Sequence, residues 1–158
     1  MFRESLAQTF KTRRCWELLN GMKKLKFERY RVENLSFKQD QDFREDNNLS
    51  VSMGSNVEMT GDDSAIVSII CHLESEDQNF ELSIRVSGDF IVEEDESKDN
   101  IPGVTNELLL SRNSLSILFP YLRSAVSQVT SIGYHNPIVL PPINILDFIQ
   151  KSKEEEPE

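Results

Sequence analysis

Four stretches of residues with a two-residue apolar period constrain the fold more than any other feature of this chain. They cover residues 25–37, 49–59, 65–73 and 80–92. A period of two places alternate side chains on one face of a β-strand. The third stretch, AIVSIICHL, is apolar at nearly every position, which is typical of a central strand that is covered on both faces. The sequence therefore predicts a sheet of four strands.

The first stretch changes phase twice. Its apolar residues come in three pairs, which are Leu25 and Phe27, Tyr30 and Val32, and Leu35 and Phe37. An extra residue between pairs would turn the next pair to the other face unless the strand bulges there. We therefore expect a bulge or a local twist in this strand.

The links between the four stretches are short and polar, at residues 40–48, 60–64 and 74–79. A parallel crossover needs a dozen or more residues, whereas a short link suits an antiparallel pair. We therefore expect each strand to lie antiparallel to the next one along the chain.

A helical region follows an acidic loop at residues 93–103. Within residues 113–133 one stripe has near-helical spacing, and Gly133 is a stop signal; the stripe consists of Leu115, Leu118, Leu122, Val126 and Val129. Pro120 fits a first turn or a kink rather than a regular helix interior. A Pro-rich loop at 134–144 precedes a short amphipathic helix at 145–153. The predicted class is α+β, a four-stranded antiparallel sheet followed by a long helix and a short C-terminal helix.

The chain divides into three regions. Residues 1–24 predict a basic helical extension, with Phe2, Leu6, Phe10, Trp16 and Leu19 near helical spacing. Its basic face suits RNA, a membrane surface, solvent or the acidic body of the protein. Residues 25–150 form the main domain, and we expect the acidic tail 151–158 to be disordered.

Charge is spread unevenly along the chain. The net charge is −10, yet residues 1–31 hold nine basic and three acidic side chains, so the rest carries −16. Such an acidic body repels nucleic acid and attracts basic polypeptides. Charges interrupt the first twenty residues before an apolar signal stretch forms, and no apolar run approaches the roughly 20 residues of a membrane span. We therefore expect a cytoplasmic protein that binds no nucleic acid and does not insert into a membrane.

Catalytic and metal-binding patterns are weak throughout the sequence. Cys15 and Cys71 are far apart, and His72 and His135 are too few to complete a zinc site. Cys71 and His72 are neighbours, and in a strand their side chains point to opposite faces, which excludes a dyad between them. The sequence contains neither GxGxxG nor GxxxxGK[ST]. We expect no enzymatic activity, no cofactor and no metal site.

Two C-terminal motifs carry a family resemblance. ILFPYLR (117–123) and LPPINILDF (140–148) are similar to signatures of the SecB family of protein-export chaperones, and ILFPYLR accounts for Pro120. Upstream, the stretch 25–37 and SGDFIV (87–92) resemble strands of that family. The resemblance implies a homotetramer built as a dimer of dimers, with eight-stranded layers and long helices packed between the dimers. It also implies ATP-independent holding of unfolded polypeptides.

The resemblance further assigns two sets of residues. A client groove would be formed by the sheet, the crossover loop and the second helix, which points to Phe43, Ile145, Leu146, Phe148 and Ile149. The long helix has more apolar surface than one stripe, so we expect it to form the tetramer interface through Leu118, Leu122, Val126 and Val129.

Three positions depart from the family pattern. In export SecB proteins acidic side chains on the sheet engage the tail of the SecA translocase motor, whereas the matching positions here are Asn34, Lys38 and Ser83. Delivery to a SecA-type motor is therefore in doubt. The alternative is a SecB-like chaperone dedicated to the antitoxin of a toxin–antitoxin system, and a third class is a small adaptor or enzyme on a similar fold.

Overall fold

The computed structural model describes residues 24–44, 48–93, 105–133, 136–142 and 144–154. Its four strands are β1 Lys24–Gln39, β2 Leu49–Met59, β3 Ser64–Ser75 and β4 Phe80–Glu93. They form one antiparallel sheet in the order β1-β4-β3-β2. The predicted four-stranded antiparallel sheet is confirmed, and the apolar stretch in β3 is indeed an interior strand.

β1 is irregular at the two places where its apolar pattern changes phase. Its register with β4 shifts between Phe27 and Arg29 and again between Val32 and Asn34. The inserted residues, Glu28 and Glu33, have no Cα partner on β4. Each bulge restores the phase, so all three apolar pairs point to the same face of the sheet. The predicted bulging of this strand is confirmed.

The expectation that β1 lies beside β2 is wrong. β1 pairs with β4, and β1 and β2 form the two opposite edges of the sheet. Three inter-strand spacings separate β1 from β2, which is a distance of about 14 Å. Nine extended residues can reach about 30 Å, so the link 40–48 is long enough to cross the end of the sheet. The two other links join hairpins, as expected.

The helical region begins earlier than its periodicity predicts. α1 (Asn106–Leu108) is capped by Thr105, whose Oγ1 accepts a hydrogen bond from the Leu108 backbone N–H at 3.2 Å. A π-helical turn (Leu109–Asn113) leads into α2 (Ser114–Gly133), which ends at the predicted glycine.

The C-terminal helix, α3, runs over Ile145–Glu154, one residue beyond the predicted 145–153. Residues 151–154, which the division into regions assigned to a disordered tail, are therefore helical. Residues 155–158 lie outside the described residues, as does the predicted helical extension up to residue 23. In the part of the chain that is described, no helix is long and apolar enough to cross a membrane.

Pro120 lies inside α2, on the face that points away from the sheet. A proline in a helix interior leaves the carbonyl four residues earlier without its N–H donor. That carbonyl belongs to Ser116, which is also exposed. The lost hydrogen bond therefore falls on the outward face of the helix and not in the core.

The core lies between one face of the sheet, here called the inner face, and the helices. Its fully buried side chains include Phe80, Phe90, Ile69 and Leu73 from the sheet and Leu110, Leu118, Leu122 and Val126 from the helices. α2 packs closely because Gly88 lacks a side chain. A Cβ there would lie 2.7 Å from Phe90 Cε2 and 3.2 Å from Leu118 Cδ1.

Segment 136–142 returns along α2 and positions α3. The Ile138 backbone N–H donates to Thr130 Oγ1 at 2.9 Å, and the Ser127 hydroxyl donates to the Ile138 carbonyl at 3.1 Å. Leu140 is buried in the core. α3 then packs against β2 and α2.

Candidate functional site

Cys71 and His72 occupy opposite faces of β3, as their adjacency predicted. Cys71 is fully buried in the core, and burial raises the pKa of its thiol to about 11. His72 is on the outer face, where its Nε2 lies 3.6 Å from Glu74 Oε2. A protonated thiol is a poor nucleophile, and the described residues place no histidine on the same face as Cys71. Cys15 and His135 lie outside the described residues.

The residues that the structure describes hold no group of three or more His, Cys, Asp or Glu side chains arranged to bind a metal ion. What distinguishes the surface is instead exposed apolar area. The middle of β1 places Tyr30, Val32 and Leu35 on the inner face, yet they are 45–48% exposed. Because α2 lies over the centre of the sheet, it leaves this edge only partly covered.

A cavity of about 410 Å³ lies between these residues and α2. We call it the β1–α2 cleft. Its aromatic wall is formed by Tyr121, whose ring centroid lies 4.6 Å from that of Tyr30 and 5.2 Å from that of Phe27. Ala125 and Val129 also line it, together with Ser124 and Gln128. The cleft is therefore an apolar surface with a polar end.

The residues assigned to the tetramer interface lie elsewhere. Leu118, Leu122 and Val126 are completely buried against the sheet of their own chain, and Val129 is half-buried beside them. The stripe that periodicity identified is the stripe that covers the sheet. A contact between subunits through α2 has to use its other face, where Tyr121 and Ile132 are exposed.

Phe43, which the family resemblance assigned to the client groove, is half-buried. Its ring centroid lies 4.9 Å from that of Phe80, and Phe37 packs on Phe80 at 5.6 Å. The Phe43 N–H donates to the Asp40 carbonyl at 3.1 Å, which closes a turn at the end of β1. The crossover link thus holds an aromatic side chain against the end of the inner face.

The apolar residues of α3 differ in how deeply they are buried. Ile145 is buried and anchors the helix, while Leu146 and Phe148 are half-buried against the core. Asn144 caps the helix, because its Oδ1 accepts from the Leu146 N–H at 3.2 Å. The side chain of Ile149 lies outside what the structure describes. Phe43 and α3 therefore pack against the same core, on the inner face of the sheet.

A second cavity, of about 530 Å³, lies between β2, the π-helical turn and α3. We call it the β2–α3 cleft. Its apolar floor consists of Val57, Leu115 and Leu146, and polar side chains surround it, namely Ser55, Asn56, Ser111, Arg112, Asn144, Asp147 and Gln150. Of these residues, the sequence analysis assigned only Leu146 to a binding site. The polar residues carry no periodic signal, and only the packing of α3 on β2 brings them together.

The three positions matched to SecA contacts lie on the outer face of the sheet. Asn34 and Lys38 are exposed on β1, and Ser83 is half-buried on β4 opposite Ser36. Close to Asn34, Arg85 Nε lies 3.0 Å from Glu33 Oε2. The three matched positions themselves therefore contribute no acidic side chain to the outer face.

Further along the outer face, Asp89 accepts hydrogen bonds from Arg29 Nε at 2.6 Å and from Arg31 Nη1 at 3.0 Å. These bonds, the one from Arg29 above all, hold the pKa of the Asp89 carboxyl below its usual range. The outer face beside β1 is thus a network of ion pairs rather than an apolar surface.

Comparison with known proteins agrees with this architecture. A family model described as preprotein translocase subunit SecB matches residues 20–156. The protein-export protein SecB of Neisseria gonorrhoeae is 34% identical over 110 residues, which cover 68% of this chain and 71% of that protein. An uncharacterized protein of Methanocaldococcus jannaschii, MJ0357, is 29% identical over 85% of this chain and 90% of its own length.

Among solved structures, the SecB-like chaperone Rv1957 of Mycobacterium tuberculosis, in complex with a ChAD peptide from the HigA1 antitoxin, has the same fold. The TM-score is 0.61 at 16% identity, over 76% of this chain and 90% of that one. The fold, the motifs around Pro120 and the match over residues 20–156 agree with one another. This chain belongs to the SecB family.

Proposed function

We propose that this protein is an ATP-independent chaperone that holds unfolded polypeptides in the cytoplasm. The observation that carries the proposal is the set of half-buried apolar side chains that the crossover link and α3 place on the inner face, namely Phe43, Leu146 and Phe148. Large apolar patches on a protein are typical of sites that bind other polypeptides. The net charge of −10 opposes aggregation of such a protein and attracts clients with basic segments.

Clients bind, in this proposal, along the face that carries Phe43, Leu146 and Phe148, with the buried Ile145 fixing α3 in place. The half-buried aromatic rings offer apolar contact without a specific chemical requirement. This suits a protein that captures many unfolded sequences.

An aggregation assay tests the holding activity. Lysozyme diluted from denaturant and reductant should aggregate more slowly in the presence of one tetramer per chain, and ATP should not change the rate. Light scattering follows the aggregation. An unchanged curve across a tenfold excess of the protein would contradict the proposal.

Substitutions separate the client surface from the core. Phe43→Ala and Phe148→Ala should weaken capture of unfolded lysozyme per folded tetramer. Phe37→Ala is the matched control for Phe43, because both rings pack on Phe80. The control should lower stability and leave capture unchanged. If all three lower stability alone, Phe43 and Phe148 do not belong to the binding surface.

We also propose a homotetramer, with the β1–α2 cleft covered by a second copy. Val32→Asp should shift the mass in light scattering below that of four chains, because a buried unpaired carboxylate is costly. Val139→Asp is the control, since Val139 is exposed outside the cleft. A Val32→Asp protein that retains four chains would remove this cleft from the interface.

A second candidate is a chaperone dedicated to one partner, such as an antitoxin. It is favoured by the outer face, where Asn34, Lys38 and Ser83 provide no acidic patch for a SecA-type motor. Co-purification from native cells distinguishes the two. Many precursor proteins would support general holding linked to export, and one small partner would support the dedicated chaperone.

A further inference from the structure

β2 is an edge strand without the features that usually protect an edge. Among the described residues it pairs only with β3, over all eleven positions and without a bulge. Its sequence, LSVSMGSNVEM, contains one charge, Glu58, and neither lysine nor proline. Exposed edges are normally blocked by lysines, prolines or bulges, because their unpaired N–H and C=O groups accept another strand.

The β2–α3 cleft opens on this edge. Ser55, Asn56 and Val57 all line it. Successive side chains of a strand point to opposite faces, so three consecutive residues can line one cleft only where it reaches around the backbone. The unpaired edge and the cleft are therefore one continuous surface.

The cleft combines apolar and amide chemistry. Val57 and Leu146 contribute to an apolar floor, and the carboxamides of Asn56 and Gln150 stand at its rim. Arg112 also lines it and forms no ion pair with the residues that the structure describes. Carboxamides both donate to and accept from a peptide backbone, and a guanidinium donates to its carbonyls.

We propose that an extended client segment binds here by adding a strand to β2, with an apolar side chain on the floor of the β2–α3 cleft. This rests on the proposed chaperone function and specifies how clients are recognised. Backbone pairing is independent of sequence, and alternate side chains of an added strand face the cleft. The edge selects an unfolded chain, because only an extended backbone can offer its hydrogen bonds.

Amide hydrogen exchange tests the pairing directly. The probe is reduced, carboxamidomethylated lysozyme, bound in excess to the full chain and followed by mass spectrometry. Edge amides of residues 49–59 should exchange about tenfold more slowly when the probe is bound, since they become hydrogen-bonded. If the probe binds and these amides are unchanged, strand addition is wrong while the chaperone function stands. If no probe binds, the proposed function itself fails.

A second copy of the chain is the competing occupant. Slower exchange of residues 49–59 that appears with rising protein concentration alone, without the probe, would assign the edge to a subunit contact and overturn the inference. Slower exchange that needs the probe supports it.

A pair of matched variants provides a second test. Ser52 on β2 and Ser36 on β1 are both exposed serines on the outer face of an edge strand. Ser52→Lys should weaken capture of the lysozyme probe about fivefold or more, because a lysine opposes strand addition. Ser36→Lys adds the same charge and should change capture less than twofold. Equal effects, with melting and mass unchanged in both variants, would contradict binding at the β2 edge.

Discussion

The two edge strands of this sheet differ in almost every respect except their position. β1 has seven charged side chains and two bulges, and its outer face is fixed by ion pairs such as that of Arg29 with Asp89. β2 has one charged side chain and a regular register. At the middle of the inner face the two edges also differ, since Met53 of β2 is buried whereas Val32 of β1 is exposed.

The difference indicates what each edge lacks. β1 has a protected backbone and uncovered apolar side chains, so it needs a partner with a shaped apolar surface, such as a second copy of the chain. β2 has an unprotected backbone and a buried Met53 at its middle, with Val51 and Met59 exposed on either side, so it suits a partner that contributes little more than an extended chain. In the proposed chaperone, a single sheet would therefore provide one edge for assembly and the other for clients.

The largest effect expected from this comparison concerns Met53 and Val32. Met53→Ala should lower the free energy of unfolding by about 2–5 kcal/mol, because it opens a cavity in the core under β2. Val32→Ala should cost less than about 1.5 kcal/mol in the single chain, since Val32 is already exposed. Denaturant titrations at a concentration where all variants have the same mass measure both. Equal losses of unfolding free energy would mean that Met53 and Val32 do not differ in how much their burial stabilises the chain.

A pair of glycines tests the close packing beside each edge. A Cβ on Gly88 would lie 3.0 Å from Phe27 Cε2 of β1 and closer still to Phe90, so Gly88→Ala should destabilise the protein by about 1–3 kcal/mol. Gly54 on β2 has nothing within 4 Å of that position. Gly54→Ala should be neutral or stabilise by about 0.4–1 kcal/mol, because alanine restricts the unfolded chain. Thermal melting of both variants decides whether crowding is confined to the β1 side.

The sequence predicts those features of the structure that depend on residues close together in the chain. The bulges of β1 were predictable, because each phase shift lies between neighbouring residues such as Phe27 and Tyr30. The pairing of β1 with β4 was not, since a nine-residue link permits either neighbour. The stripe with Leu118 and Leu122 was found, but its partner was misassigned, because periodicity shows that a face is buried and not what covers it.

The candidate site was less predictable than the fold for the same reason. Residues of α3 were identified from their amphipathic pattern and a family resemblance. Arg112 and Asn56 were not identified, since they are distant in sequence and meet only through the packing of α3 and the π-helical turn on β2. Edge character could have been detected in β1, whose many charges are unusual in a central strand.

The smallest expected effect concerns the charges that distinguish the outer faces of the two edges. Asp89 accepts hydrogen bonds from Arg29 and Arg31, and its pKa in the folded protein is lowered from the usual 3.8. A lowered folded pKa means that the carboxylate stabilises the protein above its unfolded pKa and that this contribution is lost as the pH falls through the folded value. Asp89→Asn should therefore lower the melting temperature slightly at pH 7, by less than Gly88→Ala does.

The difference between wild type and Asp89→Asn should shrink below about pH 4 and disappear once the Asp89 carboxyl is protonated. Glu58→Gln is the control on the other edge, because Glu58 is the single charge of β2 and forms no ion pair with the described residues. It should melt like the wild type across the same range. A loss at pH 7 that persists unchanged at pH 2 would mean that Asp89 acts through packing, and the ion pairs would then not distinguish β1 from β2.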